Sequence, residues 1–173
     1  MSNIIFLTGM PGAGKTFWGR AWAEQYGWTF TDLDDHIVQM TGYTIPQIFK
    51  SAGEAGFRAI EAVVLEQTIK GCRHTNTIIA TGGGTPVYED NMDIMLAAGC
   101  VVLLNAKTKS LIKRLRESPG ERPLLQQLSE EALEALAEER QPFYIRAHQQ
   151  IQVEKITEAT FAQILEACSN RPS

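Results

Sequence analysis

Gly9-Met10-Pro11-Gly12-Ala13-Gly14-Lys15-Thr16 decides how this chain is read. The octet fits G-x-x-x-x-G-K-[S/T], in which glycine-rich backbone wraps a polyphosphate, the lysine reaches its terminal phosphates and the hydroxyl residue ligates magnesium. Its neighbours fit as well. Asn3 to Thr8 is an apolar run that reads as a buried strand, and Phe17 to Gln25 reads as a helix. Strand, glycine loop and helix together give the motif its meaning, because the helix N-terminus adds its dipole to the loop's N–H groups. Gly12, Ala13, Gly14, Lys15 and Thr16 are therefore candidate residues for ATP, with Thr16 also a candidate magnesium ligand.

The rest of the chain extends this strand–helix pattern. Trp28 to Thr31, Thr77 to Ala80, Cys100 to Leu104 and, more weakly, Gln149 to Val153 read as further strands. Helices are expected over Phe57 to Ile69, Asn91 to Ala98, Ser110 to Arg116, Glu130 to Arg146 and Thr160 to Ala167. Such alternation argues a parallel sheet covered on both faces, with the ligand site beyond the carboxyl ends of the strands. At 173 residues the chain is expected to be one domain.

Composition narrows the partners. A net charge of −4 argues against nucleic acid. No apolar run is long enough for a membrane span, and the N-terminus shows no secretory leader. Three widely spaced cysteines, Cys72, Cys100 and Cys168, read as reduced thiols in a cytoplasmic protein.

Unusual chemistry stands at the ends of the candidate strands. Asp32 and Asp34 follow the second one, and on an extended segment both would point the same way, one to a metal and one to an acceptor hydroxyl. They could equally cap a following helix. Gly82-Gly83-Gly84 follows the third strand, either as a turn or as backbone open to close approach. Arg58 reads as lying at the start of a helix, where the dipole disfavours a cation. Arg122 and Arg140 could pair with an anionic acceptor, but each alone reads first as a solvated surface charge.

Taken together, these residues resemble the shikimate kinase family. The resemblance runs through GMPGAGKT, Asp32-x-Asp34, Gly42 to Phe49, Gly53-Glu54-x-x-Phe57-Arg58-x-x-Glu61, Gly82–Gly84, Arg122-Pro123-Leu124-Leu125 and Arg140-x-Pro142-x-Tyr144. It implies a nucleoside-monophosphate-kinase-like fold, with a five-stranded parallel sheet of order 2-3-1-4-5. A substrate-binding section falls near residues 33–61 and a lid near 116–127. The implied activity is ATP-dependent phosphorylation of the shikimate 3-hydroxyl, on the route to aromatic amino acids, by a monomer. By the same resemblance Lys15, Asp34 and Arg122 are catalytic, and Thr16 and Asp32 serve Mg2+. Arg58 and Arg140 clamp the acceptor carboxylate, Gly82–Gly84 supply backbone contacts, Glu61 orients Arg58, and Phe49 and Phe57 form apolar walls. Arg114 or Arg116 stands where the family carries an arginine against adenine, and Glu154-Lys155-Ile156 matches its adenine loop loosely.

Overall fold

The computed structural model describes residues 3–72, 74–117 and 129–169. The phosphate-loop unit sits where the sequence places it: β1 is Ile4–Thr8 and α1 is Lys15–Tyr26. Then come β2 (Thr29–Asp32), α2 (Leu33–Thr41), α3 (Ile45–Gly71) and β3 (Thr77–Ala80). A short 3-10 turn, Thr85–Val87, leads to α4 (Asn91–Ala98), β4 (Cys100–Asn105) and α5 (Thr108–Glu117). Beyond residue 128 lie α6 (Glu130–Tyr144), β5 (Gln149–Gln152), a 3-10 turn at Val153–Lys155 and α7 (Thr160–Ser169).

The sheet is parallel with order β2-β3-β1-β4-β5, as expected. β1 and β3 are buried along their whole length and β4 along all but its last residue, which is why they read as continuous apolar runs. β1 splits its side chains by alternation. Ile5 and Leu7 join Trp22, Val102 and Phe161 in one core. Ile4 and Phe6 join Leu33, Ile37, Leu65, Ile79 and Met95 in the other. The edge strand β5 alternates half-buried and exposed residues, which explains its weaker sequence signal.

Three differences from the sequence reading have physical causes. Residues 33–35, expected as the extended end of the second strand with a capped helix as the alternative, open a helix over 33–41, because the Asp32 carboxylate accepts the Asp34 N–H at 3.1 Å and caps it. Asp34 is thus on a helix's first turn and not on an extended segment. α3 starts at Ile45, well before Phe57. A capping box between Thr44 and Gln47, with Pro46 in the first turn, nucleates it, and Gly53 (φ 68) kinks it. Arg58 consequently lies inside the helix, past the kink, and not at a helix start. Finally, Cys100 and Cys168, expected as reduced thiols, form a disulfide with Cα atoms 5.8 Å apart, while Cys72 is free and buried. Their separation of 68 residues hides the fact that α7 packs back onto the start of β4.

Candidate active site

The phosphate loop takes its shape from backbone that only glycine adopts readily. Gly9, Gly12 and Gly14 have φ of 137, 82 and 89. The turn closes through Ala13 N–H donating to Met10 O at 3.1 Å. Lys15 opens α1 and folds back over the loop, donating from Nζ to Gly9 O at 2.9 Å and Met10 O at 3.0 Å. It is only 6% exposed. Next to it, Thr16 Oγ1 donates to Asp32 Oδ2 at 2.6 Å. Asp32 thus caps α2 with one carboxylate oxygen and faces the phosphate-loop hydroxyl with the other. Arg114, on α5, reaches across the loop and donates from Nη1 to Gly12 O at 3.3 Å. Lys107 N–H donates to Glu154 Oε1 at 3.1 Å, tying the Val153–Lys155 turn to the end of β4. That hydrogen bond holds the Glu154 carboxyl below its ordinary range.

Beside this loop, the glycine triplet gathers the charged candidates. None of Gly82, Gly83 and Gly84 has positive φ, so glycine is not needed there for backbone freedom. It is needed for space. A Cβ on Gly82 would stand 2.7 Å from Glu61 Oε1 and 3.7 Å from Asp34 Oδ1. One on Gly83 would stand 2.7 Å from Arg140 Nη1 and 2.9 Å from Pro11 Cδ. One on Gly84 would stand 2.6 Å from Arg58 Cζ. Asp34, Arg58, Glu61 and Arg140 thus converge on one short stretch of backbone, against the phosphate loop.

Within this cluster the charges are unevenly paired. Glu61 is fully buried and accepts Arg58 Nη1 at 2.6 Å. Arg58 also lies over the Phe57 ring at 5.2 Å, and Phe57 stacks on Phe49 at 4.6 Å. Arg140 is different. Among the described residues, the buried side-chain polar atoms without a hydrogen-bond partner are Thr8 Oγ1 and Arg140 Nη1. A buried guanidinium nitrogen left unpaired is costly. Its natural complement is an anion offering a planar pair of oxygens.

Tyr144 and Thr85 were given no role by sequence reasoning. Tyr144 Oη donates to Gly83 O at 2.6 Å and lies 3.9 Å from Met10 Sδ, linking α6, the glycine triplet and the phosphate loop. Thr85 Oγ1 donates to Glu61 Oε1 at 2.6 Å. A buried hydroxyl directly after three glycines was the signal available for it. Arg122 and nearly all of the expected lid lie outside the described residues, as does the Arg116 side chain.

A phosphate loop between β1 and α1, in a parallel sheet of order 2-3-1-4-5, defines a P-loop kinase of the nucleoside-monophosphate-kinase type. Beside the loop, Asp34, Arg58, Glu61 and Arg140 meet at the glycine triplet. The chain belongs to the shikimate kinase family: the family model for shikimate kinase matches residues 11–169. A shikimate kinase from Synechococcus sp. (strain CC9902) is 46% identical over 141 residues, which cover 81% of this chain and 72% of that protein. One from Synechococcus elongatus is 40% identical over 165 residues, covering 94% of this chain and 84% of that protein. The solved structure of a shikimate kinase from Acinetobacter baumannii in complex with shikimate superposes with a TM-score of 0.81 at 35% identity. That superposition covers 96% of this chain and 90% of the other.

Proposed function

We propose that this protein transfers the γ-phosphoryl group of ATP to the 3-hydroxyl of shikimate, giving shikimate 3-phosphate and ADP. The observation that carries the reading is the buried, unpartnered Arg140 Nη1 beside Gly83, with Arg58 against the adjoining Gly84. Two guanidiniums flanking one strip of backbone suit a carboxylate, and Asp34 on the same strip suits a hydroxyl. The apolar pair Phe49 and Phe57 supports a carbocyclic ring.

In this reading the reaction asks the protein for positioning and charge neutralisation. The 3-hydroxyl oxygen forms a bond to the γ-phosphorus as the bond to the β,γ-bridging oxygen breaks. Asp34 orients that hydroxyl and is placed to accept its proton. Lys15 exchanges the Gly9 and Met10 carbonyls for phosphate oxygens, a gain in charge complementarity. Thr16 and Asp32 offer one hydroxyl and one carboxylate, the sparse hard-oxygen set that suits Mg2+ sharing its coordination with phosphates. When bound there, Mg2+ would screen the phosphate charge. Arg114 lies against the nucleotide side of the loop, and Arg122 is assigned to the transferring phosphoryl group on its motif. The same reading makes the protein a cytoplasmic monomer without nucleic-acid or membrane partners. The acidic net charge argues against nucleic acid. Among the described residues no helix is long and apolar enough to cross a membrane.

A coupled assay of ADP release over a panel of hydroxy acids tests this. Shikimate should be the preferred acceptor by a wide margin. Equal or better turnover with gluconate would overturn the assignment.

A further inference from the structure

We infer that Thr85 is a positioning residue for the acceptor: its hydroxyl, acting through Glu61, sets the pose of Arg58. The inference rests on the acceptor reading above. Glu61 has no exposed surface, so both of its oxygens need partners inside the protein. Oε2 accepts Arg58 Nη1 at 2.6 Å, and Oε1 accepts Thr85 Oγ1 at 2.6 Å. The division of labour is specific. A carboxylate facing a guanidinium otherwise tends toward the two-pronged pairing that occupies both of its oxygens and two guanidinium nitrogens. Here Oε1 is turned to Thr85, and Glu61 takes Arg58 by one nitrogen, through Oε2. The other nitrogen, Nη2, stays against Gly84 and within 3.7 Å of the exposed Glu54, on the acceptor side.

Thr85 is itself fixed. It is fully buried, its N–H donates to Gly82 O at 3.2 Å, and its carbonyl accepts Asn91 Nδ2 at 3.0 Å. Asn91 is 2% exposed and is the first residue of α4. A buried chain thus runs from α4 through Thr85 and Glu61 to Arg58. Without the hydroxyl, Oε1 is left buried and unpaired, and the nearest cation able to answer it is Arg58. The guanidinium would then turn toward Glu61 and away from shikimate.

The test is Thr85→Val, which keeps the shape and removes the hydroxyl, read by calorimetry with shikimate and separately with ADP. Shikimate affinity should fall about tenfold or more, as for losing a buried bond to a charged group. ADP affinity should not change. Thr85→Ser should restore shikimate binding. In an Arg58→Ala background, Thr85→Val should add nothing, since both changes act through the same guanidinium. Wild-type shikimate affinity in Thr85→Val would overturn the inference, as would an equal loss in the Arg58→Ala background. If the valine variant does not fold, Thr85→Ala against Thr85→Ser decides it in the same way, with equal affinities the overturning result. Failure of the acceptor reading looks different: the wild type would not bind shikimate, or Arg58→Ala would not weaken it.

Discussion

The phosphate loop is made by one contiguous stretch, Gly9 to Thr16, whereas the proposed acceptor face is assembled from Asp34, Arg58, Glu61, Gly82–Gly84 and Arg140. The loop uses glycine for its left-handed backbone; the acceptor face uses it for room beside side chains. The loop's lysine is satisfied locally by two carbonyls, while the acceptor face keeps a buried guanidinium nitrogen without a partner. One region is therefore a nearly self-contained local structure. The other exists only when the whole sheet has brought α2, α3, the β3 end and α6 together. Damage to the first should be felt in chemistry, and damage to the second in recognition.

The largest effect is expected at the loop. Lys15→Ala should lower kcat by about a hundredfold to a thousandfold, the scale of removing a donor aimed at developing charge. Shikimate affinity should be little changed. Near-normal kcat in the folded variant would dissolve the distinction between the two regions. Next come the arginines. Arg58→Ala and Arg140→Ala should each weaken shikimate binding by about tenfold to a hundredfold, with ATP KM preserved. A parallel loss of ATP affinity would show the two regions to be one energetic unit.

Tyr144→Phe probes their junction, because Tyr144 Oη meets the Gly83 carbonyl and lies near Met10 of the loop. Leaving that carbonyl unpaired should cost about 1–3 kcal/mol in stability by denaturant titration. A change in both substrate affinities should accompany it. An unchanged denaturation midpoint would remove Tyr144 as a link. The smallest effect belongs to Glu154, whose carboxyl is held low chiefly by the Lys107 N–H. A depressed folded-state carboxylate stabilises above its unfolded pKa, and that contribution fades as pH falls through the lower folded value. Glu154→Gln should flatten the acid limb of the melting-temperature profile below about pH 4 and leave neutral-pH kcat alone. An unaltered acid limb would show that the turn is held by other contacts.

This contrast also explains what could be read from the sequence. The loop, β1, β3 and β4 were legible because their signals are local: a fixed spacing, and apolar runs buried on both faces. The strand order and the acceptor residues came from family resemblance, since no local rule brings Arg58 to Gly84. Asp34 was read on an extended segment and lies instead on a helix's first turn. Helix α2 depends on a cap that looks, in sequence, like the end of a strand. The early start of α3 was missed, although Thr44, Pro46 and Gln47 carry an N-terminal signature, because Gly53 and Gly56 interrupt the helical pattern before Phe57. Glu61's second partner left only a weak signal, because a threonine after a glycine triplet has many possible uses. The cysteine pairing was misread because spacing along the chain says nothing of helix docking.

That pairing changes the molecule as a polymer. The bond between Cys100 and Cys168 closes a ring 68 residues in span. The ring contains Arg114, Arg122 and Arg140, and leaves Lys15, Asp34 and Arg58 outside. By loop-closure entropy such a ring removes about 4 kcal/mol of freedom from the unfolded chain. Oxidised and reduced protein would share one fold and one site, yet differ in how readily the C-terminal half comes apart: a melting temperature that drops with reductant would report it. The N-terminal half lies outside the ring and is tied to it through the pairing of β1 with β4.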